Sequence, residues 1–156
     1  MRRGWAAIAV AVLLLAPALA AADEDDEPRV PSARVLAAGS GTIWIDGRMV
    51  VNGSLRSPGT VRIVDRAGDA VARISGARVR FDRRGRAVVR RATGILFVAG
   101  SRVYVALGGR DLVFAVAGNG RIRFRGRGIY RMDHGPVRTW DDSWLTVAPG
   151  AEQGRR

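Results

Sequence analysis

Short stretches in which apolar and polar residues alternate, cut every six to eleven residues by a turn signal, run along most of this chain. Thr60-Val61-Arg62-Ile63 and Arg78-Val79-Arg80-Phe81 place apolar side chains on one face of an extended chain and arginine on the other, the two-residue period of a half-buried strand. The signals between such stretches are Asp46-Gly47, Asn52-Gly53, Pro58-Gly59, Ala67-Gly68-Asp69, Ser75-Gly76, Arg84-Gly85, Thr93-Gly94, Gly100-Ser101, Gly108-Gly109, Gly118-Asn119-Gly120 and Gly126-Arg127-Gly128. Helices need longer uninterrupted runs, whereas strands of about five or six residues fit. Asp-Gly and Asn-Gly favour hairpins, where both central turn residues need positive φ. Residues 61–71 (VRIVDRAGDAV) and 79–88 (VRFDRRGRAV) look like copies of one hairpin, each a strand, an Asp-Arg-x-Gly turn and a second strand.

The pattern predicts an all-β domain: an antiparallel meander of about ten short strands forming a sandwich or small barrel, with a β-solenoid as the alternative. Residues 95–99, 103–107 and 112–117 are apolar at nearly every position, which predicts central strands covered on both sides. A membrane barrel fits poorly, because its strands need roughly 9–11 residues with a lipid-facing apolar stripe.

The N-terminus follows a different pattern. Met1-Arg2-Arg3 is basic, residues 5–22 are apolar apart from Pro17, and the run ends in Ala18-Leu19-Ala20-Ala21-Ala22. That order of charge, apolar core and small-residue exit predicts a cleavable export signal over 1–20, cut after Ala20 in preference to Ala22. Arg2-Arg3 lacks the flanking residues of a twin-arginine signal. Cleavage would leave an acidic leader over 21–34, a single β domain over 35–148 and a flexible tail over 149–156. The expected location is the periplasm, the cell wall or the medium, with no integral membrane segment after cleavage.

Composition sharpens this picture. All 26 basic residues are arginine and cysteine is absent, so there is no disulfide, thiolate metal site or acylation site. Five of the 14 acidic residues sit together in Asp23-Glu24-Asp25-Asp26-Glu27, and past that run 24 arginines face nine acids. A basic body thus follows an acidic leader, which could fold back on the arginines. The densest pattern is Gly120-Arg121-Ile122-Arg123-Phe124-Arg125-Gly126-Arg127. As a strand it places Arg121, Arg123, Arg125 and Arg127 on one face and Ile122 and Phe124 on the other. Planar guanidinium forks suit carboxylate and phosphate, so anionic envelope polymers or lipid head groups are the expected partners. Arg62, Arg78, Arg80, Arg83, Arg84, Arg86, Arg90 and Arg91 could extend the patch. Nucleic acid is not expected, because Phe81 and Phe124 alternate with arginine and should face the core instead of stacking on bases.

One region holds catalytic residue types: Asp133-His134-Gly135-Pro136, then Trp140-Asp141-Asp142-Ser143-Trp144. An enzyme centred on His134 would need it beside a carboxylate and a nucleophile such as Ser143. Both stretches read as ordinary turns, and a lone His without Cys is too few ligands for zinc. No cofactor motif occurs, so the expectation is a non-catalytic envelope domain that takes no cofactor. A structural, self-associating envelope protein is the alternative, and carbohydrate stacking on Trp140 or Trp144 a lesser one.

The stretch GNGRIRFRGRGIYR (118–131), followed by Gly135-Pro136 and Trp140, resembles exported Gly/Arg-rich all-β proteins of high-GC bacteria that have no established activity. Residues 50–63 (VVNGSLRSPGTVRI) more faintly resemble bactofilin-type β-solenoids, whose repeat stops here at Arg66. Neither resemblance implies a functional residue.

Overall fold

A computed structural model describes residues 33–148. The expected export signal, leader and tail lie outside the described residues, except that Ala33 and Arg34 already belong to the first strand. Ala33 is buried and pairs with Gly118, so the ordered pairing starts two residues before the expected boundary.

The described chain is all-β, with five antiparallel strands: β1 (Ala33–Asp65), β2 (Val71–Ile74), β3 (Arg86–Met132), β4 (Arg138–Thr139) and β5 (Trp144–Val147). Five strands replace the expected ten because two are very long, β1 with 33 residues and β3 with 47. Many β1 residues have two β3 partners: Ile43 lies between Leu107 and Phe124, Val51 between Val98 and Val116, and Val61 between Val89 and Leu107. The two strands are therefore the arms of one long hairpin, with its tip over residues 66–85, wound upon itself.

The pairing resolves the open sheet into two layers. The first runs in the order 128–132, 33–39, 112–118, 49–55, 94–100 and β2, with β4 beyond 129–130. The second runs β5, 120–126, 41–47, 103–109, 59–65 and 86–92. A wound antiparallel hairpin forming two layers is the jelly-roll form of a β-sandwich. Spatial neighbours are mostly distant in sequence, so the connectivity differs from a meander.

The glycine signals explain the difference. Asp46-Gly47, Gly118-Asn119-Gly120 and Gly126-Arg127-Gly128 do not reverse the chain; they bend both arms together from one layer to the other. Glycine faces glycine at these corners, with Gly41 opposite Gly126 and Gly47 opposite Gly120. Gly41 has φ +149° and Gly126 φ +133°, an extended conformation that side chains almost never adopt. A methyl group on either would strike the other's Cα and the adjoining backbone carbonyl. Both arms must lack side chains where they cross so closely.

Between corners the two-residue period fills one core from both layers. Val35, Ile43, Ile45, Val51, Val61, Leu96, Val98, Val103, Val105, Val116 and Ile122 are fully buried, and among the described residues no polar side chain is buried. Runs 95–99, 103–107 and 112–117 are central but covered on one side only. Leu96 is buried while Ile95 is 62% exposed, and Tyr104 is only half-buried between Val103 and Val105. Val113 is the exception, buried at 8% exposure on the outward side.

The two apparent hairpin copies do not form hairpins. Residues 61–64 pair with β3, β2 pairs with 96–99, and 78–81 are not strand. Phe81, expected in the core, is exposed for the same reason. What repeats is the turn. Asp65 accepts hydrogen bonds from the backbone N–H groups of Ala67, Gly68 and Ala70, and Asp82 from those of Arg84 and Arg86. Burial opposes ionisation of Asp65, but these bonds outweigh it and hold its carboxyl below the usual 3.8. A depressed carboxylate pKa stabilises the fold above the unfolded value and loses that stabilisation as pH falls through the folded one. Asp65→Ala should therefore cost about 1–3 kcal/mol at neutral pH. Denaturant midpoints measured downward from pH 5 should fall more gently for this variant below about 3.8.

Candidate functional site

The second layer carries charge on its outward side. Strand alternation turns Ile43, Ile45, Ile122 and Phe124 inward, which leaves Trp44, Asp46, Arg121 and Arg123 outward. Register then aligns these residues across strands. One row crosses the layer as Trp144, Arg123, Trp44, Ala106, Arg62 and Val88. The next crosses as Thr146, Arg121, Asp46, Tyr104, Val64 and Arg86. A third holds Arg125, Thr42, Thr60 and Arg90.

Contacts within these rows are specific. Arg121 sits 3.3 Å from Asp46, which also takes Arg66 at 3.0 Å. Arg123 donates from Nε to the Asp142 carboxylate at 2.9 Å. The guanidinium of Arg123 lies 5.5 Å from the Trp44 ring centre and 6.0 Å from that of Trp144, with Arg121 5.0 Å from Trp144 and Arg66 5.9 Å from Tyr104. Attraction between these cations and the ring faces restrains long side chains that would otherwise lose rotamer freedom on binding. Arg62, Arg90 and Arg125 are exposed and form no ion pair among the described residues.

The four arginines read from the sequence divide. Arg121, Arg123 and Arg125 share one strand face. Arg127 lies past Gly126, where the chain turns toward the first layer, and pairs in register with Ser40 at the corner. Of the other arginines, Arg62, Arg86 and Arg90 extend the face. Arg78, Arg80, Arg83 and Arg84 belong to the hairpin tip, and Arg91 sits in a bulge with φ +55°.

Sequence reasoning did not find Trp44 and Tyr104, which complete the site. A signal was present: each is an aromatic residue flanked by inward β-branched neighbours, in Ile43-Trp44-Ile45 and Val103-Tyr104-Val105. Only the register shows that they stand beside Arg123 and Asp46. The two later tryptophans take opposite roles. Trp140 is buried, stacks on Phe124 at 5.2 Å and donates its indole N–H to the Ile129 carbonyl, whereas Trp144 is 45% exposed.

His134 lies exposed in the turn after β3. The Ser143 hydroxyl donates to Asp141 at 2.6 Å, and this bond is the main reason the Asp141 carboxyl is held below its usual range. A carboxylate so stabilised is a weak proton acceptor, and the arrangement does not pair Ser143 with His134. Among the described residues no three His, Cys, Asp or Glu side chains converge as metal ligands, and no helix is long and apolar enough to cross a membrane. No protein-family profile, curated protein or solved structure matches this chain.

Proposed function

We propose that this chain is an exported envelope protein that binds anionic polysaccharide on the outward side of its second layer. The observation that carries this reading is the crossing row of Trp144, Arg123 and Trp44, with Arg121, Arg125 and Arg62 around it. The sheet face accepts an extended polymer along its rows, arginine forks receive its carboxylates, and aromatic rings offer apolar surface to sugar rings. The excess of arginine over acid past Glu27 draws such a polymer from a distance.

The test is titration of the full chain with polygalacturonate, neutral dextran and single-stranded DNA. Polygalacturonate should bind and dextran should not. Affinity should fall about tenfold or more between low and physiological salt, as counterion release requires. Arg62→Ala with Arg125→Ala should weaken binding about tenfold while leaving the denaturant midpoint unchanged, because neither residue holds an ion pair among the described residues. Equal binding of dextran, or no effect of the double substitution, overturns the proposal. Tighter binding of DNA assigns the face to nucleic acid.

A further inference from the structure

The outward side of the first layer has the opposite character. Alternation that turns Val35, Met49, Val51, Leu96, Phe114 and Val116 inward leaves Leu36, Val50, Ile95, Phe97, Val113 and Ile129 outward. Most other outward positions between them are alanine. Asn52, Ser54 and, on β4, Thr139 are the uncharged polar side chains on this face, and no carboxylate stands among its strand positions. Its charges are at the margins: Arg131 on one flanking segment, Arg73 on β2 at the other flank, and Arg34 at one end, where the Asp133 carboxylate accepts the Arg34 backbone N–H at 2.8 Å. Ile95 is 62% exposed and Val71 48%.

We propose that this face rests on an anionic lipid bilayer, with Ile95, Phe97 and their neighbours at the acyl boundary and Arg34, Arg73 and Arg131 on phosphate groups. Charge complementarity selects this occupant. Peripheral binding to anionic lipid combines buried apolar area with attraction of flanking cations, and arginine can lay its stem on apolar surface while its head reaches the phosphate. A second copy of the chain fits less well. Arg73 and Arg131, which flank the face, would meet no carboxylate on the strands of the second copy's face. Six strands about 4.8 Å apart, each with about three outward positions, give a patch on the order of 500 Å². A standard interface buries about 800 Å² on each partner, whereas a bilayer sets no minimum.

The absence of cysteine makes a clean test possible. Ile95→Cys on this face and Val88→Cys on the other, each labelled with an environment-sensitive dye in the full chain, are mixed with vesicles. One vesicle set is phosphatidylcholine with phosphatidylglycerol and the other is phosphatidylcholine alone. A blue shift at position 95 but not at 88, larger with phosphatidylglycerol, is the expected result. Both labelled chains carry the apolar residues 5–22, so only the difference between label positions reports the face. Arg73→Ala with Arg131→Ala in the Ile95→Cys chain should raise the phosphatidylglycerol concentration for half-maximal shift about tenfold. Equal shifts at both positions, or none at 95, overturn the proposal. A shift at 95 that grows with protein concentration without vesicles assigns the face to a second copy and also overturns it.

Discussion

Gly126→Ala should leave this protein unfolded or close to it, although it adds a single methyl group. The corner opposite Gly41 gives that group no room: it would press into the Ser40 carbonyl and lie 2.8 Å from the Gly41 Cα. Residue 126 also sits at φ +133°, outside the range open to alanine. Strain of about 1–3 kcal/mol from the backbone alone adds to the cost of separating two crossing strands. A total loss of about 4 kcal/mol or more is expected, against the 5–15 kcal/mol that holds a typical domain. The control is Gly68→Ala, in a turn at φ +81° with nothing within 4 Å of the added carbon, where strain alone costs about 1 kcal/mol. Urea denaturation followed by far-UV circular dichroism reads both. A Gly126→Ala midpoint no lower than that of Gly68→Ala would show that the corner yields.

Phe124→Ala should cost about 3–5 kcal/mol, the usual range for emptying a buried aromatic site. Phe124 is 1% exposed and sits at the centre of an aromatic cluster. Its ring stacks on Tyr130 at 5.0 Å and on Trp140 at 5.2 Å, and meets Phe114 at 6.2 Å. Phe114 and Tyr130 belong to the first layer and Phe124 to the second, so the cluster ties the layers together. Trp140 closes it from the flank, lying over the Gly39–Gly128 pair so closely that a side chain on either glycine would collide with the indole. Phe124→Leu, which keeps most of the volume, should lose less than about 1.5 kcal/mol. The near-UV circular dichroism band should fade in the alanine variant even where the far-UV spectrum persists. An alanine variant as stable as the leucine one would mean that the core closes over the gap.

The two layers present different chemistry to the outside, and both proposals follow from that asymmetry. One face carries guanidinium groups beside aromatic rings, the other an apolar surface edged by arginine. Each can be tested without the other, because the dye at position 95 and the substitutions at Arg62 and Arg125 lie on opposite sides.

Much of this was legible beforehand. The two-residue period placed Ile122 and Phe124 inward and Arg121, Arg123 and Arg125 outward, as found, because alternation is local geometry that any strand obeys. Arg127 left the row because a glycine corner interrupts that geometry. The aromatic half of the second layer's outward face was hidden for another reason. Trp44 lies 79 positions from Arg123 in sequence, and nothing local states that 41–47 runs beside 120–126. Phe81 misled in the same way, since an alternating stretch becomes a strand only if a partner strand reaches it.

Taken alone, the sequence determined the all-β class, the inward and outward set of most strand residues, and the charge divide between the acidic run and the basic body. These depend on composition and on a two-residue period, which need no knowledge of partners. Tertiary structure decided what each glycine does. A glycine at positive φ permits a sharp change of direction, but a hairpin reversal and a bend shared by two crossing strands make the same local demand. Only long-range pairing distinguishes them, and here it bent two long strands into a wound hairpin instead of a row of short ones. The same pairing brought Trp44, Arg123 and Trp144 into one row, turning a run of charge into a face with a shape.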